Sequence, residues 1–188
     1  MHSDGVVNQE LYSKLNPNQK VLFILKETNG YNENLAKFLN SLFTENLPHK
    51  KGSNFQMWHT ISKWAMGVID STHDYSAIDK SKYKTYLRKV AVINLNKKPG
   101  GKKSNSQTIR KEALKNKDKI ISQIFEINPE YIIACGTYDI VLEILNATDR
   151  SGYACYKNKK IIKMRHPNRA KQETTFNELI DRITRASA

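Results

Sequence analysis

Val21-Leu22-Phe23-Ile24-Leu25 runs for five residues without a polar interruption and is closed by Lys26-Glu27-Thr28-Asn29-Gly30-Tyr31. The run is continuous rather than alternating, which is how a strand reads when both of its faces are covered, as in a parallel sheet. Three further runs share this character: Val90-Ala91-Val92-Ile93, Tyr131-Ile132-Ile133-Ala134-Cys135 and Ile161-Ile162. Helical spacing fills the intervals. Leu35, Phe38, Leu39, Leu42 and Phe43 mark one face of a helix, and Trp58, Ile61, Ala65 and Val68 mark a second. Ile120, Ile121, Ile124 and Phe125 close a long basic helix that stops before Pro129. Ile140, Val141, Ile144 and Leu145 form a fourth stripe, and Phe176, Leu179, Ile180 and Ile183 a fifth. Strands alternating with helices predict a three-layer α/β/α domain around a central four-stranded, mainly parallel sheet with right-handed crossovers. Tyr153 to Ile162 reads as a hairpin feeding the last strand. Residues 1–18 read as a loose extension and 19–188 as one domain.

The chain has 188 residues, enough for one well-buried core. Its 39% apolar content argues against global disorder, and it has no apolar run long enough to span a membrane and no secretory signal at the N-terminus. The expected location is therefore cytoplasmic, at the nucleoid in a bacterium. Cys135 and Cys155 are too few for a disulfide framework or a four-thiolate metal site and read as small buried hydrophobes. With 31 Lys and Arg against 18 Asp and Glu, the net charge of +13 points to a polyanionic partner, nucleic acid before an acidic membrane.

In a doubly wound sheet the ligand lies beyond the carboxyl ends of the strands. The residues that follow the four runs are therefore the informative ones: Glu27, Thr28 and Asn29 after the first; Asn94 and the basic loop through Lys97, Lys98, Lys102 and Lys103 after the second; Gly136-Thr137 after the third; and Arg165, His166, Asn168 and Arg169 after the fourth. Each has an ordinary structural explanation: a helix-entry carboxylate, a turn-forming amide, a strand-ending imidazole and a solvated lysine face. Their joint arrival at one sheet edge is the argument for a site. Ala134-Cys135-Gly136-Thr137 is not a dinucleotide fingerprint and no Walker lysine pattern occurs. The remaining histidines, His2, His49, His59 and His73, lack metal-ligand spacing, so no metal and no cofactor are expected.

In this order, Val21–Gly30, Val90–Ser104, Ile127–Leu145 and Ile161–Ala170 resemble the uracil-DNA glycosylase superfamily. That family ends its first strand in a Gly-(Gln/Glu/Met/Ile)-(Asp/Ala/Asn)-Pro-(Tyr/Gly) motif, reads the base with an Asn at the end of a later strand, and closes with a His-Pro-Ser loop. Asn94 to Pro99 is similar to the Asn-x-x-Lys-x-Arg-Pro stretch of one branch, and His166-Pro167-Asn168 to the closing loop, with Asn168 in place of Ser. In the first motif Lys26 stands where the family has Gly, Thr28 where it has Asp, Ala or Asn, and Asn29 where it has Pro. The chain also lacks the four cysteines of the cluster-binding branches.

The resemblance implies a DNA glycosylase of base-excision repair that hydrolyses the N-glycosidic bond of a flipped-out uracil or modified pyrimidine and leaves an abasic site. Glu27 and His166 would be catalytic, and Asn94, Phe55, Thr28 and Asn29 would surround the base. Lys97, Lys98, Lys102, Lys103, Arg165, Asn168 and Arg169 would grip phosphates of single- or double-stranded DNA. A monomer without a membrane partner is expected. The alternative is a catalytically inert DNA-binding module of the same fold.

Overall fold

In the computed structural model, which describes residues 4–28, 34–41, 53–98, 100, 105–169 and 171–188, the elements are β1 (Gly5–Val6), α1 (Gln9–Ser13), β2 (Val21–Leu25), α2 (Leu35–Ser41), α3 (Ser53–Ile69), α4 (Tyr83–Arg88), β3 (Ala91–Asn94), α5 (Ser106–Lys115), α6 (Lys117–Ile127), β4 (Tyr131–Cys135), α7 (Tyr138–Leu145), β5 (Tyr153–Tyr156), β6 (Lys159–Met164) and α8 (Gln172–Ser187). The four apolar runs become β3, β2, β4 and β6, mutually parallel and adjacent in that order. Two strands flank them, so the sheet has six strands rather than four. β1 adds antiparallel to β3 and β5 antiparallel to β6. The expected hairpin is β5–β6, turning at Lys157-Asn158 with Lys157 at φ +53°.

Helices cover both faces, which explains the unbroken apolar reading of the central strands. Phe23, Val92 and Ile133 pack with α2, α3, α4 and α8 on one face. Leu22, Ile24, Ile93 and Ile132 pack with α1, α5, α6 and α7 on the other. On the first face Phe23 stacks on the fully buried Trp64 of α3, ring centres 6.5 Å apart.

Three expectations are corrected. Residues 4–18 are not a loose extension: β1 pairs with β3, the Val7 N–H donates to Val90 O at 3.0 Å, and Val7 and Tyr12 are buried. The long basic helix is two helices. Asn116 breaks it by bonding its own side-chain amide back to Glu112 O (2.7 Å), the competition with the backbone that makes Asn a poor helix interior residue. Cys135 is buried, and burial pushes its thiol pKa up, but Cys155 is exposed on β5. Among the described residues no helix is long and apolar enough to cross a membrane.

Candidate functional site

The register aligns the carboxyl ends of the central strands. Leu25 pairs with Asn94, Ile24 with Ala134 and Cys135 with Met164, so Leu25, Asn94, Cys135 and Met164 form one row across the sheet. The β2–β3 ladder continues for two more residues through Leu95 N–H to Leu25 O (3.0 Å) and Asn96 N–H to Lys26 O (2.9 Å). Side chains of successive rows alternate between faces. Asn94 therefore stands on the α2/α3/α8 face with Leu25, Lys26 turns to the α5/α7 face with Leu95, and Glu27 and Asn96 return to the side of Asn94.

Asn94 is almost completely buried, 1% exposed, and neither its Oδ1 nor its Nδ2 has a hydrogen-bond partner among the described residues. A buried amide left so costs about 1–3 kcal/mol, which is why such groups mark places where a ligand completes the bonding. Its backbone is tied down: the Asn94 N–H donates to Asp4 Oδ2 at 2.6 Å. Asp4 also accepts from Lys97 Nζ at 2.7 Å and from Gln123 Nε2 at 2.9 Å. The N-terminal segment thus clamps the end of the strand that carries Asn94.

Glu27 is held by Asn96, whose Nδ2 donates to Oε2 at 3.0 Å. The loop after β3 folds onto this carboxylate. Gly100 N–H donates to Thr28 O at 2.7 Å, and a Cβ on Gly100 would lie 2.2 Å from Glu27 Cδ, so any larger residue there displaces the Glu27 carboxylate. Across the edge, Gly136 at φ +68° donates its N–H to Met164 O (2.7 Å), joining the ends of β4 and β6. A Cβ there would sit 3.7 Å from both His166 Cβ and Lys26 Cε, so the β2, β4 and β6 termini meet at this glycine. Thr137 Oγ1 caps Ile24 O at 2.9 Å. His166 Nδ1 accepts the Asn168 N–H at 3.3 Å. In the neutral ring this assigns the proton to Nε2.

Glu27, Asn94 and His166 therefore share one edge, on strands β2, β3 and β6. Three strand spacings separate the outer two, roughly 14 Å between backbones. Thr28 is buried beside Glu27, and Asn168 is part-buried with a buried Oδ1 that has no partner among the described residues. Arg165 is exposed. Lys98 is exposed and pairs with Glu112 at 3.2 Å. Lys97 differs from expectation: its ammonium is buried against Asp4 and Gln123, where it braces the loop instead of facing outward to a phosphate. Burial lowers its pKa, and Asp4 opposes that shift. Asn29, Lys102 and Lys103 lie outside the described residues. Phe55 is in the first turn of α3 and Arg169 in a short turn after Pro167, and the side chains of both lie outside the described residues.

Sequence patterns pointed to the strand ends but not to Asp4, Asn96 or Gly100. For Asn96 and Gly100 a signal existed: a second amide two residues after Asn94, hence on the same face, and a Gly-Gly pair in a lysine-rich loop. For Asp4 there was none. Among the described residues no group of three His, Cys, Asp or Glu side chains could hold a metal ion. The chain matches no protein-family model and no curated protein sequence.

Proposed function

We propose that the protein is a DNA glycosylase that hydrolyses the N-glycosidic bond of an everted uracil or related pyrimidine. The observation that carries this reading is the Asn94 amide, buried with both of its polar atoms unpartnered among the described residues, one strand away from a carboxylate on the same face. One amide offers an acceptor and a donor side by side, which fits the N3–H and O4 of uracil and mismatches cytosine.

Cleaving the glycosidic bond builds positive charge on the sugar and negative charge on the departing base. Glu27 serves the first need: its carboxylate, oriented by Asn96, stabilises the sugar cation and takes a proton from the attacking water. His166 serves the second by donating its Nε2–H to the base oxygen, in the tautomer that the Asn168 N–H enforces at Nδ1. The base must leave its stack to reach this edge, and the +13 charge supplies the non-specific grip on phosphates that holds the strand meanwhile.

The test is incubation with oligonucleotides carrying uracil, damaged and hypermodified pyrimidines, followed by alkaline cleavage at abasic sites. Cleavage with one base class is expected. His166→Ala and Glu27→Gln should each slow it by about 100-fold or more, in line with the loss of one transition-state contact, and Asn94→Asp should relax the base preference. Binding without cleavage of any of them would make the protein the inert DNA-binding module instead, and full activity in His166→Ala would remove that residue from the mechanism.

A further inference from the structure

On the α5/α7 side of the same sheet edge lies a cleft of about 520 Å³, within the roughly 300–1,000 Å³ range of small-ligand sites. It is lined by Lys26, Gly136 and Arg165, each the immediate neighbour in sequence of a residue at the site above or of its wall. The pleat explains the arrangement. Lys26 points one way and Glu27 the other, so the cleft lies on the side of the edge away from Glu27, and Gly136 lies against both Lys26 and His166. We infer that this cleft takes the nucleotide next to the everted one, so that the substrate is single-stranded DNA draped over the edge of the sheet. This rests on the glycosylase reading above.

The cleft's chemistry suits a nucleotide. The exposed area of its lining is mainly apolar, and the half-buried Ile140 offers a surface for a base. Three of its cations are already engaged: Arg110 chelates Glu143 through two 2.8 Å bonds, Arg182 pairs with Glu178 at 2.7 Å, and Lys163 sits 5.3 Å over the Tyr138 ring. Lys26 and Arg165 have no acidic partner among the described residues, and both line the cleft beside Gly136, where a backbone crossing from the Glu27 side of the edge would carry its phosphate. Two adjacent nucleotides on opposite faces of a sheet edge cannot remain stacked, and a neighbour held in a duplex would also have to break its pairing. A single strand avoids that cost.

The test uses the whole chain and single-stranded oligonucleotides with one uracil, in which the nucleotide on either side is replaced in turn by a tetrahydrofuran abasic analogue, together with the matching duplex. KM and kcat are read on the wild-type protein, and Kd by fluorescence anisotropy on Glu27→Gln. Loss of the base on one side only should raise KM and Kd about 5- to 150-fold, the equivalent of one base contact of ~1–3 kcal/mol. Loss on the other side should leave both within twofold, and the duplex should be at least tenfold poorer. Ile140→Trp, filling the cleft, should raise KM by the same factor and make it insensitive to the neighbour. If that variant does not fold, the oligonucleotide series decides alone. Excision with equal KM and Kd for all the single strands and the duplex would overturn the inference while leaving the glycosylase reading intact. The one-sided Kd pattern without excision would do the reverse.

Discussion

Removing the Asp4 carboxylate is the sharpest test of how the site is held. In Asp4→Ala the Lys97 ammonium, 7% exposed at its side chain, keeps among the described residues only Gln123 Oε1 at 3.0 Å, and the Asn94 N–H loses its 2.6 Å acceptor. Stripping one partner from a buried ion pair costs about 3–5 kcal/mol, because the other charge stays behind uncompensated. At ~2–4 °C per kcal/mol for a domain of this size, Tm should fall by roughly 6–20 °C. Urea unfolding followed by circular dichroism at pH 7 measures the loss directly. Asp4→Ala combined with Lys97→Met removes both charges and should recover at least half of it. The sign of the pH dependence follows from the same burial. Lys97 has a folded pKa below its unfolded value near 10.5, so its penalty is present below the folded pKa and relieved as pH rises through it. Without Asp4, which counteracts the lowering, the folded pKa drops further and the deficit of the single variant should shrink on the alkaline side. A single variant within ~0.5 kcal/mol of wild type, or a double variant no better than the single, would refute the reasoning.

Other outcomes follow from the same structure. Asn94→Leu should stabilise the ligand-free protein by about 1–3 kcal/mol by removing a buried amide that has no partner among the described residues, while abolishing base excision; destabilisation in urea unfolding would refute this. Gly100→Ala must push the Glu27 carboxylate aside and should reduce kcat by tenfold or more, with KM changed less, in steady-state excision assays, while the flexible glutamate keeps the stability cost below about 1 kcal/mol. Burial, reinforced by Lys63, holds His59 below its usual pKa, so its contribution to stability is present above the unfolded value of about 6.5 and lost as pH falls through it. The urea midpoint should drop more between pH 7.5 and 5 in wild type than in His59→Asn, and equal drops would exclude this role.

The central strands were legible because burial on both faces leaves no polar residue to interrupt them. β1 was not, since two residues cannot display a period, and their strand character comes from Ala91 and Val92 across the gap. α4 carried a readable signal in Tyr83, Tyr86 and Leu87, spaced to share one helical face, yet its six residues fall below the length at which periodicity decides. The strand-end residues could be found because topology alone brings such positions together. What holds them could not, because the contacts are made across long stretches of chain: Asp4 reaches Asn94 over 90 residues and Asn96 reaches Glu27 over 69.

β1 has one more consequence. With Val7 it occupies the outer rank of β3 over only a few residues, yet that rank would otherwise offer bare amides and carbonyls along a fully buried strand. A protease cut after Val7, or a bulky fusion wedged against Asp4, would unseat this short cover and leave β3 open to the same strand of another molecule. Chains damaged there should pair edge to edge and precipitate, so an intact β1 segment protects colloidal behaviour.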